Sequence, residues 1–283
     1  MSLSTEQLEM RRKGIGASES PCLVGVSPFG GPIGVWAKKM GLFTERPTDA
    51  MDLGNYLEEG ILRMYADKTK RQIMGFGTVT HPKHPWMLCT PDGAAFGERR
   101  IVQVKLVGSW MASHWEEGVP DYVEVQVQHE MEVCDVPVCD VVAVLCGTEY
   151  RCIEVKRDRS VGRDLVEICH AFWKDHVLTG EMPEPDGGEE ARATIGARWK
   201  HRDEKMIAAT PELERLGIAW LVEDEKIRAA EKAQSLIEQK LKIAIGEHEG
   251  IEGESFRATW KENKAKKRVF LLKEAGNRKV MAA

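Results

Sequence analysis

A turn, a strand and a lysine bring together residue types that are suited to hydrolysing a phosphodiester. Thr90-Pro91-Asp92-Gly93 places an aspartate in a turn, and the run 97–105 (GERRIVQVK) ends at Lys105. The reaction needs an activated water and a polarised phosphoryl oxygen, which Mg²⁺ ions held by acids supply. Side chains two positions apart on a strand share a face, so that a lysine can orient the water beside an acid.

The strand position that would hold the second acid carries a neutral amide instead. Gln103 lies two residues before Lys105, and its side chain keeps one coordinating oxygen but contributes no charge. On an earlier helical segment, Glu58 and Glu59 are candidates for a further acid. Because a lone Pro-Asp-Gly is usually only a turn, two interpretations stay open: a nuclease site that lacks one charge, or no nuclease site.

A second pair with the same spacing competes with residues 103–105. Glu154-Val155-Lys156 matches the acid-x-lysine pattern better, because it retains the carboxylate. Glu154 has no aspartate turn shortly upstream, however, and Arg157-Asp158 is typical of the exposed end of an edge strand. We therefore favour a structural role for residues 154–156, although the spacing alone does not decide between the two pairs.

A glycine-rich segment near the N-terminus is a candidate for binding a phosphate. Residues 14–20 (GIGASES) lack the strand and the G-x-G-x-x-G spacing of a dinucleotide-binding loop. We predict instead a helix with Ser18 as its cap and with backbone amides that attract an anion. Arg11, Arg12 and Lys13 lie directly upstream and would complete the pocket. A capped helix without a ligand is the alternative.

Mixed periodicities over residues 1–178 predict the scaffold that must position these side chains. Residues 123–134 fit either a helix or a strand. The predicted elements are helices at 53–69 and 160–178 and strands at 101–108, 141–147 and 150–158. The apolar faces of the two helices are Leu53, Leu57, Ile61, Met64 and Tyr65 in the first, and Val161, Leu165, Ile168 and Phe172 in the second. Helices around a small central sheet make this segment α/β or α+β.

The rest of the chain divides into a linker and a C-terminal module. Residues 179–190 contain two prolines and three glycines, which is typical of a linker or an exposed excursion. In residues 191–283, Thr210-Pro211 predicts the start of a long helix that ends at Gly246. Its narrow apolar stripe favours a partner helix. The tail then predicts a possible small β-hairpin around the basic run 264–268 (KAKKR).

Composition excludes several other classes of protein. The 283 residues are 42% hydrophobic with a formal net charge of −5, which argues against a general nucleic-acid coat protein. The seven cysteines form no Cys-x-x-Cys pair, so we expect reduced thiols packed as small hydrophobes rather than a zinc site. No apolar run is long enough to cross a membrane. Neither end resembles an export signal, so we expect a cytoplasmic protein.

Six motifs follow one another at suitable spacings over about residues 8–180. They are R-x-x-G-I-G-A-S-E, G-N-Y-L-E, C-T-P-D-G, V-x-V-K, Q-V-Q-H-x-M and I-E-V-x-R-D. In this order they resemble the lambda exonuclease (YqaJ-like) viral recombinase family, which has the restriction-endonuclease-like PD-(D/E)xK core. The resemblance implies a central mixed sheet flanked by helices in residues 1–178.

The resemblance also implies a role for each candidate residue. Glu58, Asp92 and Gln103 match the metal-binding positions, for one or two Mg²⁺ ions with Mn²⁺ as a substitute. Lys105 matches the catalytic lysine that activates water, and Gln126 the glutamine that supports the site.

Three further positions are assigned by the same resemblance. Arg11 and Ser18 match the pocket that grips the 5′-phosphate of the DNA end. Glu154 falls in a later, non-catalytic strand, which favours residues 103–105 as the catalytic pair.

The implied activity is a Mg²⁺-dependent 5′-to-3′ exonuclease that acts on double-stranded DNA ends. Such enzymes leave 3′ single-stranded overhangs for an annealing protein, and several are homotrimers. They belong to phage-type recombination, so we expect a phage- or prophage-encoded protein in a bacterial host. The C-terminal module would support oligomerisation, embrace DNA through residues 264–268, dock the annealing partner or cover one face of the core.

Residue 103 is where the chain departs from the family, which has glutamate there. Fewer acids hold the cations more weakly, so the barrier should rise by several kcal/mol and the enzyme should be attenuated or inactive. A natural variant and a deliberate substitution that traps a DNA complex both fit Gln103. An inert DNA-end-binding scaffold is the second functional hypothesis, and an endonuclease on the same core is the third.

Overall fold

The computed structural model describes residues 12–42, 48–200 and 204–275, so Arg11 lies outside the described residues. The chain divides into two compact units, Met1–Arg202 and Asp203–Ala283. No helix in these described ranges is long and apolar enough to cross a membrane.

The first unit mixes helices and strands along its whole length. In chain order its helices are α1 (Ser20–Val24), α2 (Pro32–Lys39), α3 (Asp49–Thr69), α4 (Asp121–Cys134), α5 (Arg159–Phe172) and α6 (Glu189–Arg198). Its strands are β1 (Ile15–Gly16), β2 (Ile73–Met74), β3 (Val79–Thr80), β4 (Met87–Cys89), β5 (Gly93–Ala95), β6 (Arg100–Val107), β7 (Val138–Leu145) and β8 (Glu149–Lys156). The predicted strands at 101–108, 141–147 and 150–158 are therefore confirmed.

A five-stranded mixed sheet forms the centre of this unit. Its strand order is β2-β5-β6-β7-β8, and a smaller sheet has the order β1-β4-β3. β6 and β7 run parallel, while the other neighbours in the large sheet are antiparallel. Parallel neighbours need a crossover, and α4 supplies it between β6 and β7. The predicted central mixed sheet flanked by helices is confirmed.

The two faces of β6 contact different helices because side chains alternate along a strand. On one face, Ile101 packs in a buried cluster with Val123, Val127 and Met131 of α4. On the other, Val102 packs with residues of α3. Gln103 and Lys105 share the face of Ile101, so both point to the side of the sheet that α4 covers.

The ambiguous segment 123–134 is helical. Val123, Val127 and Met131 are buried at a spacing of four residues, which matches one face of a helix rather than a pleated strand. The helix ends where Asp135 adopts a left-handed conformation with φ 49°.

Two predicted apolar faces are only partly buried. In α3, Ile61 and Tyr65 are buried, but Leu53 and Leu57 are exposed because the first turns of the helix line an open groove. Met64 is also exposed. In α5 the buried residues are Gly162, Leu165, Cys169 and Phe172. Ile168 is 39% exposed, so its predicted place in the core is wrong.

The boundary of the first unit lies beyond the predicted linker. Residues 179–190 were expected to separate two modules, with the second beginning at residue 191. Helix α6 instead packs against α2, and Ala191 and Thr194 are buried. Burial of this face holds the segment to the first unit, which extends to Arg202.

The second unit contains a long helix and a small sheet. Helix α7 (Pro211–Ile245) starts at the predicted Thr210, whose side-chain oxygen accepts from the Leu213 amide at 3.3 Å. β9 (Gly250–Glu252), β10 (Phe256–Glu262) and β11 (Arg268–Glu274) form an antiparallel sheet in the order β11-β10-β9. The predicted helix and hairpin are confirmed. Of the residues of α7, Ile245 alone is buried.

A buried polar network ties α3 to the sheet. Asp140 of β7 is 3% exposed and accepts hydrogen bonds from the Tyr65 hydroxyl and the Arg100 guanidinium. Arg100 also donates to Glu154 of β8 at 2.9 Å. A buried carboxylate is stable only when such donors satisfy it.

We expect Tyr65→Phe to lower the free energy of unfolding by about 1.5–3 kcal/mol, because the buried Asp140 carboxylate would lose the hydrogen bond that the Tyr65 hydroxyl donates. Urea denaturation measures the change. Tyr56→Phe is the matched control, since Tyr56 lies on the same helix and is 84% exposed. Equal effects of the two substitutions would contradict a stabilising role for the Tyr65 hydroxyl.

Candidate active site

The pairing of β5 with β6 brings the predicted aspartate to the predicted strand. Gly93 pairs with Val102 in an antiparallel register, which sets Asp92 beside Gln103. Asp92 Oδ2 accepts from Gln103 Nε2 and from the Val104 backbone amide, both at 2.6 Å. Because a carboxylate can only accept, these contacts turn the Gln103 nitrogen toward Asp92 and its oxygen away.

Helix α4 contributes a second pair of side chains. Gln126 and Glu130 are four residues apart and therefore share a helix face. Lys105 Nζ donates to Gln126 Oε1 at 2.8 Å, and Gln126 Nε2 donates to Glu130 Oε1 at 2.8 Å. Lysine has only donors, so this chain fixes the orientation of the Gln126 amide as well.

Two oxygens in this site have no hydrogen-bond partner. Gln103 Oε1 and Glu130 Oε2 are fully buried, and neither contacts a donor. Both residues line one cavity of about 130 Å³. Its wall also includes Gly16, Ala17, Ser18, Leu88, Cys89, Thr90, Asp92 and Gln126. Unsatisfied buried oxygens are rare and call for a ligand that accepts their lone pairs.

Burial shifts the pKa of both acids upward. Desolvation raises the pKa of Asp92 to about 7, assisted by the charge of Glu58 and opposed by Lys105. Desolvation raises the pKa of Glu130 to about 8, with the nearby charge of Asp92 acting in the same direction. Such shifts occur where like charges meet in a site that a cation or substrate completes.

The residues present fit a divalent cation that prefers oxygen ligands. Asp92, Gln103 and Glu130 offer two carboxyl groups and one amide oxygen, which suits Mg²⁺ or Mn²⁺ better than a soft metal. Among residues 12–42, 48–200 and 204–275, no three His, Cys, Asp or Glu side chains are grouped so as to hold a metal ion. The two carboxyl groups would therefore need further oxygens, and the Gln103 amide offers one beside them.

The remaining predicted site residues lie at different distances from the cavity. Glu58 is partly buried on α3, and its charge raises the pKa of Asp92. Ser18 lines the cavity, whereas Arg11 lies outside the described residues. Glu154 pairs with Arg100, which is bound to Asp140 on the α3 face of the sheet, away from Gln103.

The predicted cap at Ser18 is wrong. Residues Ala17–Glu19 form a 3₁₀ turn, and Glu19 is the residue before the short helix α1, with no side-chain cap bond. Pro21 stands at the start of that helix, where its missing amide hydrogen is tolerated. Glu19 instead accepts from the Gly16 amide at 2.7 Å and holds the turn.

Two neighbours of Glu130 hold α4 in place. His129 contacts Ser20 through Nδ1, and its Nε2 lies 3.0 Å from the Leu88 carbonyl, which can only accept. Burial lowers the pKa of His129 to about 3, so it is neutral. Gln128 donates to the Lys156 carbonyl and accepts from the Asp158 amide, both at 2.8 Å. The motif Q-V-Q-H therefore anchors the helix on three elements.

An open apolar groove of about 640 Å³ adjoins the cavity. Ser18 and Gln126 line both spaces, and Lys105 faces the groove. The rings of Trp110 and Tyr122 each contact Phe29 edge to face, at centroid distances of 6.1 and 5.6 Å. The groove also includes Met51, Leu53 and Leu57 from the first turns of α3.

Glu130 is the site residue that sequence reasoning missed. It occupies the unspecified position of Q-V-Q-H-x-M, and the ambiguity of residues 123–134 hid its relation to Gln126. Once those residues are placed on a helix, the spacing of four residues puts both side chains on one face.

Comparison with known proteins finds similarities that cover the region of the candidate site. Residues 6–137 match the family model described as YqaJ-like viral recombinase domain. Over 264 residues the chain is 25% identical to a protein of Bacillus subtilis (strain 168) described as uncharacterized protein YqaJ. The aligned region covers 90% of this chain and 82% of that protein. The predicted resemblance is confirmed.

Solved structures confirm the fold. The crystal structure of an alkaline exonuclease (LHK-Exo) from Laribacter hongkongensis superposes with a TM-score of 0.54 at 18% identity, over 63% of this chain and 94% of that one. A second structure, LHK-Exo in complex with dAMP, gives 0.53 at 19% identity over 62% and 94%. These likenesses show the restriction-endonuclease-like fold.

The pKa of Glu130 predicts how Glu130→Gln changes stability with pH. The folded protein holds this proton up to about pH 8, whereas an unfolded glutamate releases it near 4.5. The metal-free wild type should lose stability as pH rises between these values, and the neutral variant should not. At about 1.4 kcal/mol per pKa unit, Glu130→Gln should be more stable than wild type by a few kcal/mol at pH 8.

Urea denaturation in chelator at pH 5 and pH 8 measures this difference. Asp121→Asn is the matched control, because Asp121 is exposed on the same helix. A gain for Glu130→Gln that is the same at both pH values would contradict a buried, proton-holding carboxyl group.

Proposed function

We propose, from the premise that residues 6–137 form a YqaJ-like viral recombinase domain, that this protein is a Mg²⁺-dependent exonuclease that degrades double-stranded DNA from 5′ ends. The observation that carries the proposal is one cavity lined by Asp92, Gln103, Glu130 and Gln126, with Lys105 bound to Gln126. The fold shared with a protein described as an alkaline exonuclease supports it.

Each residue of the cavity has a definable task in this reaction. Asp92 and Gln103, with Glu58 nearby on α3, would hold one or two Mg²⁺ ions, with Mn²⁺ as a substitute. The bound ions would polarise the phosphoryl oxygen and lower the pKa of water. Lys105 would orient the attacking water, because the Gln126 carbonyl holds its ammonium group 2.8 Å away.

Substrate would reach the cavity along the groove that adjoins it. Ser18 lies where the two spaces meet, so it would contact the terminal 5′-phosphate, together with Arg11 as the family pattern implies. The exposed rings of Phe29 and Trp110 offer surfaces on which unpaired bases can stack.

The wider role follows from the proposed reaction. Degradation from 5′ ends leaves 3′ single-stranded overhangs, which a single-strand annealing protein would take up in phage-type recombination. We propose that the protein works as a homotrimer in the cytoplasm of a bacterial host. The family match supports this setting.

Gln103 favours a weakened form of the activity. An amide oxygen binds Mg²⁺ without neutralising its charge, so the ions are held less tightly than by the glutamate of the family pattern. The same observation supports the second candidate function, a DNA-end-binding scaffold that no longer cleaves. Metal-dependent hydrolysis separates the two candidates, since a scaffold stays inert.

We expect Mg²⁺-dependent digestion of 5′-phosphorylated linear duplex that releases a 5′ label as nucleotide and leaves a 3′ label on a shortened strand. Asp92→Asn should abolish the digestion, because Asp92 is the carboxyl group that both β5 and β6 position. The measurement is gel analysis of strands labelled at either end. Relaxed circular DNA is the control substrate: its cleavage would indicate an endonuclease instead.

We expect Lys105→Gln to lower the rate of digestion by about 10²–10⁴-fold, the usual contribution of a group that positions or transfers a proton. Lys156→Gln is the matched control, because Lys156 ends the competing acid-x-lysine pair and is exposed on β8. Single-turnover rates at saturating Mg²⁺ measure both. A loss confined to Lys156→Gln would transfer the catalytic role to residues 154–156.

A further inference from the structure

We propose that Glu130 is a metal-binding carboxylate of this site and supplies from helix α4 the negative charge that strand β6 lacks at Gln103. The inference rests on the proposed function and deepens it. Glu130 occupies the unspecified position of Q-V-Q-H-x-M, so no motif gives it a role, and it lines the same cavity as Asp92 and Gln103.

The hydrogen bonding of Glu130 is half complete. Its Oε1 accepts from Gln126 at 2.8 Å, while its Oε2 is buried and has no partner. The residue is 1% exposed, so water does not replace the missing donor at the protein surface. A purely structural glutamate would be expected to satisfy both oxygens.

Gln103 and Glu130, which carry the two oxygens without a partner, both line the cavity. Gln103 belongs to strand β6 and Glu130 to helix α4, and Asp92 lines the same cavity. Gln103 Nε2 donates to Asp92 and Gln126 Nε2 donates to Glu130, which leaves Gln103 Oε1 and Glu130 Oε2 without a donor. Two such oxygens on residues that line one cavity are suited to a hard cation.

The charges around the cavity favour the same assignment. Lys105 is close enough to Asp92 and Glu130 to oppose the rise in pKa of each, but it is one cation beside two acids. The Lys105 ammonium contacts the neutral Gln126 carbonyl, so neither acid has a direct ion pair with it. A divalent ion would balance the second charge.

A glutamate at position 130 of α4, in place of one at position 103 of β6, leaves the site with the same number of carboxylates in a different arrangement. If Gln103 simply removed one charge, Gln103→Glu would raise metal affinity strongly in any background. If Glu130 replaces that charge, Gln103→Glu should help little in the wild type and much more once Glu130 is neutralised. The two substitutions are therefore expected to be non-additive.

Titration calorimetry of the full chain with Mn²⁺ at pH 8 tests the assignment without DNA. We expect Glu130→Gln to weaken Mn²⁺ binding by about 10–100-fold, in the range seen when a group that supports a metal site is lost. The double variant Gln103→Glu/Glu130→Gln should recover most of this loss. Gln103→Glu alone should change the affinity by less than it does in the Glu130→Gln background.

Glu124→Gln is the matched control, because Glu124 lies on the same helix and bonds to Gln128 at 3.0 Å rather than facing the cavity. It should bind Mn²⁺ as the wild type does. Equal affinities of wild type and Glu130→Gln, or equal gains from Gln103→Glu in both backgrounds, would overturn the proposal. Recovery of affinity in the double variant also shows that Glu130→Gln has not failed through misfolding.

The outcome for Glu130 is separate from that of the proposed function. Mn²⁺ binding that depends on Glu130, without any digestion of DNA, would support the ligand assignment and overturn the nuclease. Digestion by a wild type whose Mn²⁺ affinity does not depend on Glu130 would do the reverse. A wild type that neither binds Mn²⁺ nor digests DNA would overturn both.

Discussion

The enclosure of two carboxyl groups in one small cavity is the constraint on which the rest of the first unit depends. Asp92 and Glu130 are both shielded from water, and the charge of Asp92 raises the pKa of Glu130. Burying two acids opposes folding unless neighbouring groups compensate. Val104 and Gln103 of β6 donate hydrogen bonds to Asp92. Gln126, one turn earlier on α4, donates a hydrogen bond to Glu130.

Helix α4 can contribute the donor to Glu130 because its faces have different tasks. Val123, Val127 and Met131 pack on the sheet, which makes the helix part of the core. Gln128 attaches it to β8 of the large sheet, and His129 attaches it to β4 of the smaller sheet. The remaining face can then hold Gln126 and Glu130 in a fixed position, because the contacts of the other faces already anchor the helix.

Much of the architecture could be predicted from the sequence, because strands and helices that cross a core carry a regular apolar pattern. The β6 strand, α7 and the hairpin of the second unit are examples. Long-range register, which sets Asp92 beside Gln103, leaves no local signal and was accessible only through resemblance. Ile168 and Leu57 show that an apolar pattern predicts a helix more reliably than it predicts what covers each side chain.

The high pKa of Asp92 and Glu130 makes cations and protons competitors for the same oxygens. At neutral pH a cation entering the cavity would displace hydrogen ions into the solvent, because the acids there still hold them in part. The apparent affinity would then rise steeply toward alkaline conditions, and the heat of binding would vary with the ionisation enthalpy of the buffer.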